Sequence, residues 1–356
     1  MPFIKRSECL VFFFRDGKLH CKNYLTGIEV ATAPIIVSVL DALGRWRQSK
    51  KVESLLAGYS PVSIRRTLAK LHRHTLLLYK GSAQAKREAL LGVWNVWGEE
   101  ARFFHFATKQ AFSSGEVVDE RKFSRALLKK HPQPPQLKNY PRARQIPLPD
   151  LAAEPHGDFE RVLLARRTHR RFAPGGVSLE QISGILALTW GIKGYLQWPD
   201  LGRLLLKTSP SGGARHPLEV YLFALRVAGL PRGVYHYRAD RNSLELLRRW
   251  TSEDRLVKLC AGQNWIRHCS ALFVMTAVLP RVMWRYHFSR AYRVVLLEAG
   301  HFCQTFCLVA TRLGLAPFCT AALVDAKLEE VLGLDGVSET VLYAAGIGRK
   351  LSKDQE

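Results

Sequence analysis

The sequence predicts a mixed fold in which a sheet is covered by helices, preceded by a small basic module, and three observations carry that prediction. From Phe159 onward, amphipathic helical stretches such as Ser178 to Ile192 alternate with apolar strand-like runs such as Ser270 to Val278. Interleaving of that kind puts helices on the faces of a sheet. Before residue 80 the pattern differs: two β-like runs flank Asp16-Gly17, a hairpin signal, and helical stretches follow at Ala33 to Leu43, Lys51 to Ala57 and Ser63 to Thr75, ahead of the strand-like "LLLYK". Between the two regions, from His131 to Pro155, prolines recur so closely that a helix interior is forbidden and an extended strap is expected.

Each part follows from its residues. Hairpin, helices and a closing strand over 1–80 are the order of a winged helix, whose last helix, Ser63 to Leu76, carries Arg65, Arg66, Lys70 and Arg73. Residues 81–158 form a connecting region, helical and aromatic at first through Trp94, Trp97, Phe103, Phe104 and Phe106, then proline-rich. The main domain occupies 159–350. Within it "FERVLLARRTHRRF" reads as a basic helix, Val294 to Leu315 as a core helix, and "ETVLYAAGIGRK" as a strand entering a glycine turn.

A chain of 356 residues, 47% hydrophobic, has enough apolar material for two or three domains and is not disordered. Its formal charge is +23, with roughly +14 in the first 150 residues. Nucleic acid, an anionic surface, an acidic peptide and a phosphate-bearing cofactor all suit such a field; so does a basic composition kept for solubility. Only charge speaks for nucleic acid, so it is not the expected partner. Seven cysteines, an odd number without framework spacing, point to a reducing, cytoplasmic setting. His301-x-Cys303-x3-Cys307 lies in an apolar run where cysteine acts as a small buried hydrophobe, and no metal site is expected. Glu298, His301 and Arg312 in that run argue against a membrane span, and Met1 to Leu10 lacks the apolar stretch of a signal peptide.

Two segments carry chemistry. Arg166-Arg167-Thr168-His169-Arg170-Arg171 sets four guanidinium groups and a hydroxyl at a helix end, before the breaker Pro174-Gly175-Gly176. Guanidinium forks bind phosphate bidentately, and fixed positive charge stabilises negative charge developing on a ring; a solvent-facing patch would read the same. In "TSPSGGARHPLEVYLFAL" a loop of small residues runs into a strand in which Leu218, Val220, Leu222 and Ala224 alternate with Glu219, Tyr221 and Phe223. Glycines there let backbone approach a ligand, or simply make a tight corner.

Taken in order, "RRTHRRF", "GGVSLEQISGILALTWGIKGY", "SPSGGARHPLEVY", "RAYRVVLLEAGH" and "LEEVLGLDGVSETVLYAAGIGRK" resemble the nitroreductase superfamily over about residues 159–350, and more closely its SagB-type branch, the flavin dehydrogenases of thiazole/oxazole peptide biosynthesis. The resemblance implies an α+β sandwich that binds FMN at the interface of a homodimer, with a winged-helix-like N-terminal module. It implies that Arg166, Arg167, Thr168 and Arg170 hold the FMN phosphate, ribityl chain and pyrimidine edge. Pro210, Ser211 and Gly212 would approach the partner's flavin, Thr320, Ala321 and Ala322 would face the flavin N5, and Gly346, Gly348 and Arg349 would complete the phosphate site. The implied activity is oxidation of thiazoline or oxazoline rings in a ribosomal precursor peptide, in company with a cyclodehydratase. The branch carries a Lys-Tyr pair before its "RgYR" motif, whereas this chain has Arg285-Tyr286-His287. Arginine cannot act as a base at neutral pH. Tyr286 beside a cation, or His287, is therefore the expected base, and Arg285 leaves open a relative acting on another peptide or natural-product intermediate.

Overall fold

A computed structural model describes residues 2–55, 58–109, 157–199, 201–250 and 252–352, with isolated positions 125 and 129. The expected strap from His131 to Pro155 lies outside the described residues. The chain divides into two compact units, one comprising Met1–Ser113, Val278–Val295 and Asp335–Thr340, the other Ser114–Ala277, Leu296–Leu334 and Val341–Glu356.

The first unit begins with β1 (Phe3–Arg6), β2 (Leu10–Arg15), β3 (Lys18–Asn23), β4 (Glu29–Thr32), α1 (Ile35–Asp41), β5 (Arg47–Gln48), α2 (Ser49–Leu55), α3 (Pro61–Arg73) and β6 (Leu77–Tyr79). They make two three-stranded sheets, β5-β1-β6 and β2-β3-β4. Asp16 and Gly17 both take positive φ, 50° and 70°, the two left-handed positions that a tight two-residue hairpin turn requires. Ser60 caps α3, its hydroxyl accepting the Ser63 N–H at 3.2 Å, with Pro61 in the first turn where its missing N–H costs nothing. The apolar faces of α1 and α3 close over Ile4, Cys21, Val52 and Leu77, which makes a core of the unit's own. After α4 (Ala83–Ala89) and α5 (Glu99–Thr108), the same unit takes in the short helix Pro280–Met283 and the residues that follow it. Trp94 and Trp97 are fully buried there: Trp94 Nε1 donates to the Val337 carbonyl at 3.2 Å and Trp97 Nε1 to the Tyr286 carbonyl at 2.9 Å.

The second unit is built on a six-stranded sheet of order β11-β10-β9-β12-β14-β13. Its elements are α6 (Asp158–Ala165), α7 (Leu179–Thr189), the hairpin β7 (Gly194–Trp198) and β8 (Gly202–Leu206), β9 (Leu218–Ala224), β10 (Gly233–Arg238), β11 (Ser243–Arg249), α8 (Glu253–Leu259), β12 (Ala271–Val278), α9 (Ala291–Arg312), β13 (Leu315–Thr320), α10 (Asp325–Leu332) and β14 (Glu339–Arg349). Strand β9 runs antiparallel to β10 and β12, and β13 to β14. Because side chains alternate along β12, Leu272 and Val274 join the cluster around Phe223, Trp250, Leu256 and Leu328, whereas Phe273 stacks on Trp190 of the segment after α7 and touches Phe306 of α9. Both faces are thus covered. The fold is the α+β, helix-covered sheet that the sequence predicts, and α7 is capped by a capping box between Ser178 and Gln181.

Three local expectations change. The alternation in β9 does not separate a dry face from a wet one, since Tyr221 and Phe223 are as buried as Leu222: a central strand covered on both sides has no solvent face. The basic helix stops at Ala165, and Arg166 already has ψ 123°, because the following segment is drawn to the sheet, where the His169 N–H meets the Pro317 carbonyl at 2.9 Å. No glycine turn ends the domain. Strand β14 continues through Gly346 and Gly348, whose missing side chains leave room for aromatic rings: a Cβ on Gly346 would fall 2.4 Å from Phe318, and one on Gly348 2.4 Å from Phe172.

Among the described residues α9 alone is long and apolar enough to cross a membrane by length and composition. Its Phe302 and Phe306 pack against Trp190, and its Glu298 is only 2% exposed, as the core-helix reading requires.

Candidate functional site

The arginine segment leaves α6 and crosses to the ends of β13 and β14. Arg167 turns back, its Nη1 donating to the carbonyls of Leu164 and Arg166 at 2.9 and 2.8 Å, so this guanidinium caps the helix rather than facing outward. Arg170 lies over the Trp265 ring, 5.2 Å from its centroid. Arg349 donates Nη1 to the Pro174 carbonyl at 3.0 Å, and the Ala173 N–H donates to the Arg349 carbonyl at 3.0 Å, which ties the far end of the segment to β14. Thr168 is exposed and Arg166 half-buried. Neither Arg166 nor Arg170 has a carboxylate partner among the described residues. Arg166, Arg167, Thr168 and Arg170 thus share one segment of the second unit, whose far end is tied to Arg349, and Arg167 is engaged by its own helix. Gly346 and Gly348 share that strand end, but what their lack of side chains provides is space for Phe318 and Phe172.

The loop Pro210, Ser211, Gly212 is held by α9. The Gly212 N–H donates to Glu298 Oε1 at 2.8 Å, the Ser209 and Thr305 hydroxyls pair at 2.8 Å, and the Ser211 hydroxyl accepts the His216 N–H at 2.8 Å. Beyond Gly213, Ala214 and His216 also take positive φ, 53° and 43°. Non-glycine residues in that region cost about 1–3 kcal/mol each and persist only where their surroundings fix them. Burial raises the Glu298 pKa above the usual carboxylate range, although the Gly212 N–H and the Ser211 hydroxyl pull the other way. Sequence reasoning did not assign Glu298 this role. The available signal was a lone carboxylate on the apolar face of a core helix.

Thr320, Ala321 and Ala322 form the turn after β13. The Thr320 hydroxyl accepts the Ala322 N–H at 3.1 Å, and Gln263 Nε2 donates to the Ala322 carbonyl at 2.9 Å. One residue earlier, Cys319 stands beside Cys303 and Cys307 of α9, the three sulfurs lying within 4.8 Å of one another, while His301 is exposed and outside the group. All seven cysteines are free thiols.

Arg285, Tyr286 and His287 belong to the first unit. The Arg285 guanidinium lies 5.7 Å from the centroid of the Tyr286 ring, the Tyr286 carbonyl accepts from Trp97, and His287 Nε2 stands 3.2 Å from the Trp284 carbonyl. Tyr286 is half-buried and its two neighbours are exposed. Nearby, His105 is buried, stacked on Trp94 at 4.8 Å, with Nδ1 2.6 Å from the Tyr292 hydroxyl. Burial, reinforced by the Lys109 charge, holds its pKa well below the ordinary value.

The nitroreductase family model matches residues 163–349, the arginine segment through the end of β14. This chain belongs to the nitroreductase family. It is 30% identical to a protein described as a nitroreductase, MJ1384 of Methanocaldococcus jannaschii, over 58% of this chain and 97% of that one. It is 29% identical to the trifolitoxin-processing protein TfxB of Rhizobium leguminosarum bv. trifolii over 49% of this chain and 48% of the relative, and 28% identical to the microcin B17-processing protein McbC of Escherichia coli over 38% and 52%. The chain thus spans about half the length of these two processing proteins, which are kin of the kind expected for the SagB-type branch. Among solved structures, the E. coli microcin synthetase McbBCD complex with truncated pro-MccB17 bound is similar over 74% of this chain and 98% of that one, at 20% identity and a TM-score of 0.49.

Proposed function

We propose that this protein is an FMN-dependent oxidoreductase that converts thiazoline or oxazoline rings of a ribosomal precursor peptide to the aromatic azoles. The observation that carries the reading is the pair Arg166 and Arg170: in the matched family segment, one half-buried and one exposed guanidinium have no carboxylate among the described residues, which supports their use as phosphate ligands. Its likeness to proteins named for trifolitoxin and microcin B17 processing supports a peptide substrate.

The residues present fit FMN. Arg166, Arg170 and the Thr168 hydroxyl would hold its phosphate and ribityl chain, and Arg349 on β14, tied to Pro174, would complete the phosphate site. The Ser211–Gly212 backbone, fixed by Glu298, would supply a preformed wall for the flavin of a homodimer partner, and the Thr320–Ala322 turn would present main-chain groups to it. When bound, FMN supplies a two-electron hydride acceptor. The chain's own part is to orient the ring, to keep fixed positive charge where negative charge develops, and to take the proton that leaves the azoline carbon. Tyr286 Oη is the proposed acceptor of that proton, Arg285 the cation that favours its phenolate, and His287 the alternative base. Oxidation of an azoline requires that its ring be made first, so a cyclodehydratase is the proposed companion. Arg285 in place of the branch's lysine favours, as a second reading, another peptide or natural-product intermediate.

The test is anaerobic bleaching of the bound flavin by an azoline peptide, with a two-dalton loss in peptide mass. Tyr286→Phe should leave flavin occupancy unchanged and slow bleaching about 10²- to 10⁴-fold, the usual worth of a positioned acid or base. A Tyr286→Phe protein that bleaches as fast as wild type transfers the role to His287; a wild type that no azoline bleaches refutes the substrate class.

A further inference from the structure

Cysteines on α9 and β13 meet in a way that neither the family fold nor the proposed oxidation requires. Cys303 and Cys307 stand four residues apart, one turn on the same face of α9, and Cys319 is contributed by β13. Their sulfurs all lie within 4.8 Å of one another, the one group among the described residues whose donors are spaced for a metal ion. We propose that Cys303, Cys307 and Cys319 form a structural zinc site, with the Tyr343 hydroxyl closing the fourth position.

The geometry is close to what zinc demands. Tetrahedral Zn–S bonds of about 2.3 Å place sulfurs roughly 3.8 Å apart, so the triangle needs to contract by at most about 1 Å, within the reach of χ1 adjustments. Cys303 and Cys307 are buried, which gives the dry surroundings of a structural site, while Cys319 is half-exposed and leaves a way in for the ion. Tyr343 on β14 hydrogen-bonds with both Cys319 and Cys303. A zinc ion with three thiolates carries a net charge of −1, and the Arg166 charge, which acts on Cys307 and Cys319, would offset it. Three thiols serving only as small hydrophobes would have no reason to converge their sulfurs beside a cation.

The site is probed with Co²⁺ and Zn²⁺ on the full-length protein, reduced and handled anaerobically, with and without flavin. One equivalent of Co²⁺ should produce thiolate charge-transfer absorption and the visible bands of a tetrahedral ion, and Zn²⁺ should displace both. Cys319→Ser, on the half-exposed member, should weaken binding more than about 100-fold, beyond the 10- to 100-fold cost of losing an outer-shell partner. Cys260→Ser, at a buried thiol outside the group, should leave one-equivalent binding intact and serves as the folding control. Folded, reduced wild type that gives no thiolate charge-transfer band overturns the proposal, as does a Cys319→Ser protein that binds Co²⁺ as wild type does.

Discussion

Glu298 is the residue whose removal tests how the loop before β9 is held. Its carboxylate is 2% exposed and accepts the Gly212 N–H at 2.8 Å, at the start of a loop that goes on to place Ala214 and His216 at positive φ. A hydrogen bond to a charged group is worth about 1.5–3 kcal/mol, and Glu298→Ala forfeits it while leaving the strain of the loop in place. Converted at about 1.4 kcal/mol per decade, that loss lowers the ordered-to-disordered ratio of the loop roughly 10- to 150-fold. If the ordered loop is part of the flavin pocket, FMN affinity should fall by up to the same factor. Glu298→Gln keeps an acceptor of the same shape and should lose much less.

The pH dependence reads the burial of the same carboxylate, which acts against the hydrogen bond from Gly212. Burial raises the folded pKa of Glu298 above 4.5, so the protonated form is the one folding favours: its contribution is full below about 4.5 and is lost as pH rises through the raised value. Glu298→Gln cannot ionise and should remove that part of the slope in thermal melts. Flavin occupancy after gel filtration, hydrogen exchange at Gly212 to His216 and melts across pH together decide the matter. A Glu298→Ala protein with native FMN affinity and native amide protection at Gly212 would refute the anchoring argument.

Gly348→Ala puts a Cβ 2.4 Å from the Phe172 ring and should destabilise by about 1–3 kcal/mol, the usual cost of overpacking; Phe172→Leu should restore part of it in a denaturant titration. His105, buried and with its pKa held below 6.5, contributes stability that is present above about pH 6.5 and lost as pH falls, so melts from pH 7.5 to 5 should slope downward for wild type and flatten for His105→Asn. Arg166→Ala combined with Arg170→Ala should strip FMN from the protein, two charge-assisted contacts of about 1.5–3 kcal/mol each disappearing together; unchanged occupancy after gel filtration would show that the pair faces something else.

Much of this was legible because it is local. The Asp16-Gly17 turn, the Ser178 capping box and the continuous apolar run of β12 are each decided by residues a few positions apart, and each forms where its sequence signal stands. What escaped is non-local. Gly346 and Gly348 read as turn residues until Phe318 and Phe172 are seen to fill the space beside them. Glu298 stands 86 residues from the amide it accepts, and Cys319 joins a pair that by itself looked like ordinary core. The segments Val278–Val295 and Asp335–Thr340 fold with the N-terminal unit because Trp94 and Trp97 take their carbonyls as acceptors, a pairing that no window of sequence displays.

Arg166 stands where the two proposals meet, and its surroundings explain why they separate experimentally. A half-buried guanidinium without a carboxylate is costly unless an anion completes it. Two are proposed: the phosphate that the family segment would bind, and the negatively charged zinc–thiolate group at Cys303, Cys307 and Cys319. Arg170 differs, since its guanidinium lies over the Trp265 ring, 5.2 Å from its centroid. Arg170→Ala alone should therefore weaken FMN binding by about one charge-assisted contact, 10-fold or more, and leave Co²⁺ binding at the cysteines unchanged. Arg166→Ala should weaken both, the first by loss of a phosphate contact and the second by loss of the cation that offsets the net negative charge of the metal site. If Arg166→Ala weakened flavin binding but not Co²⁺ binding, the cysteine group would owe nothing to that cation; if it weakened neither, the half-buried charge would have to be met by an anion other than these two.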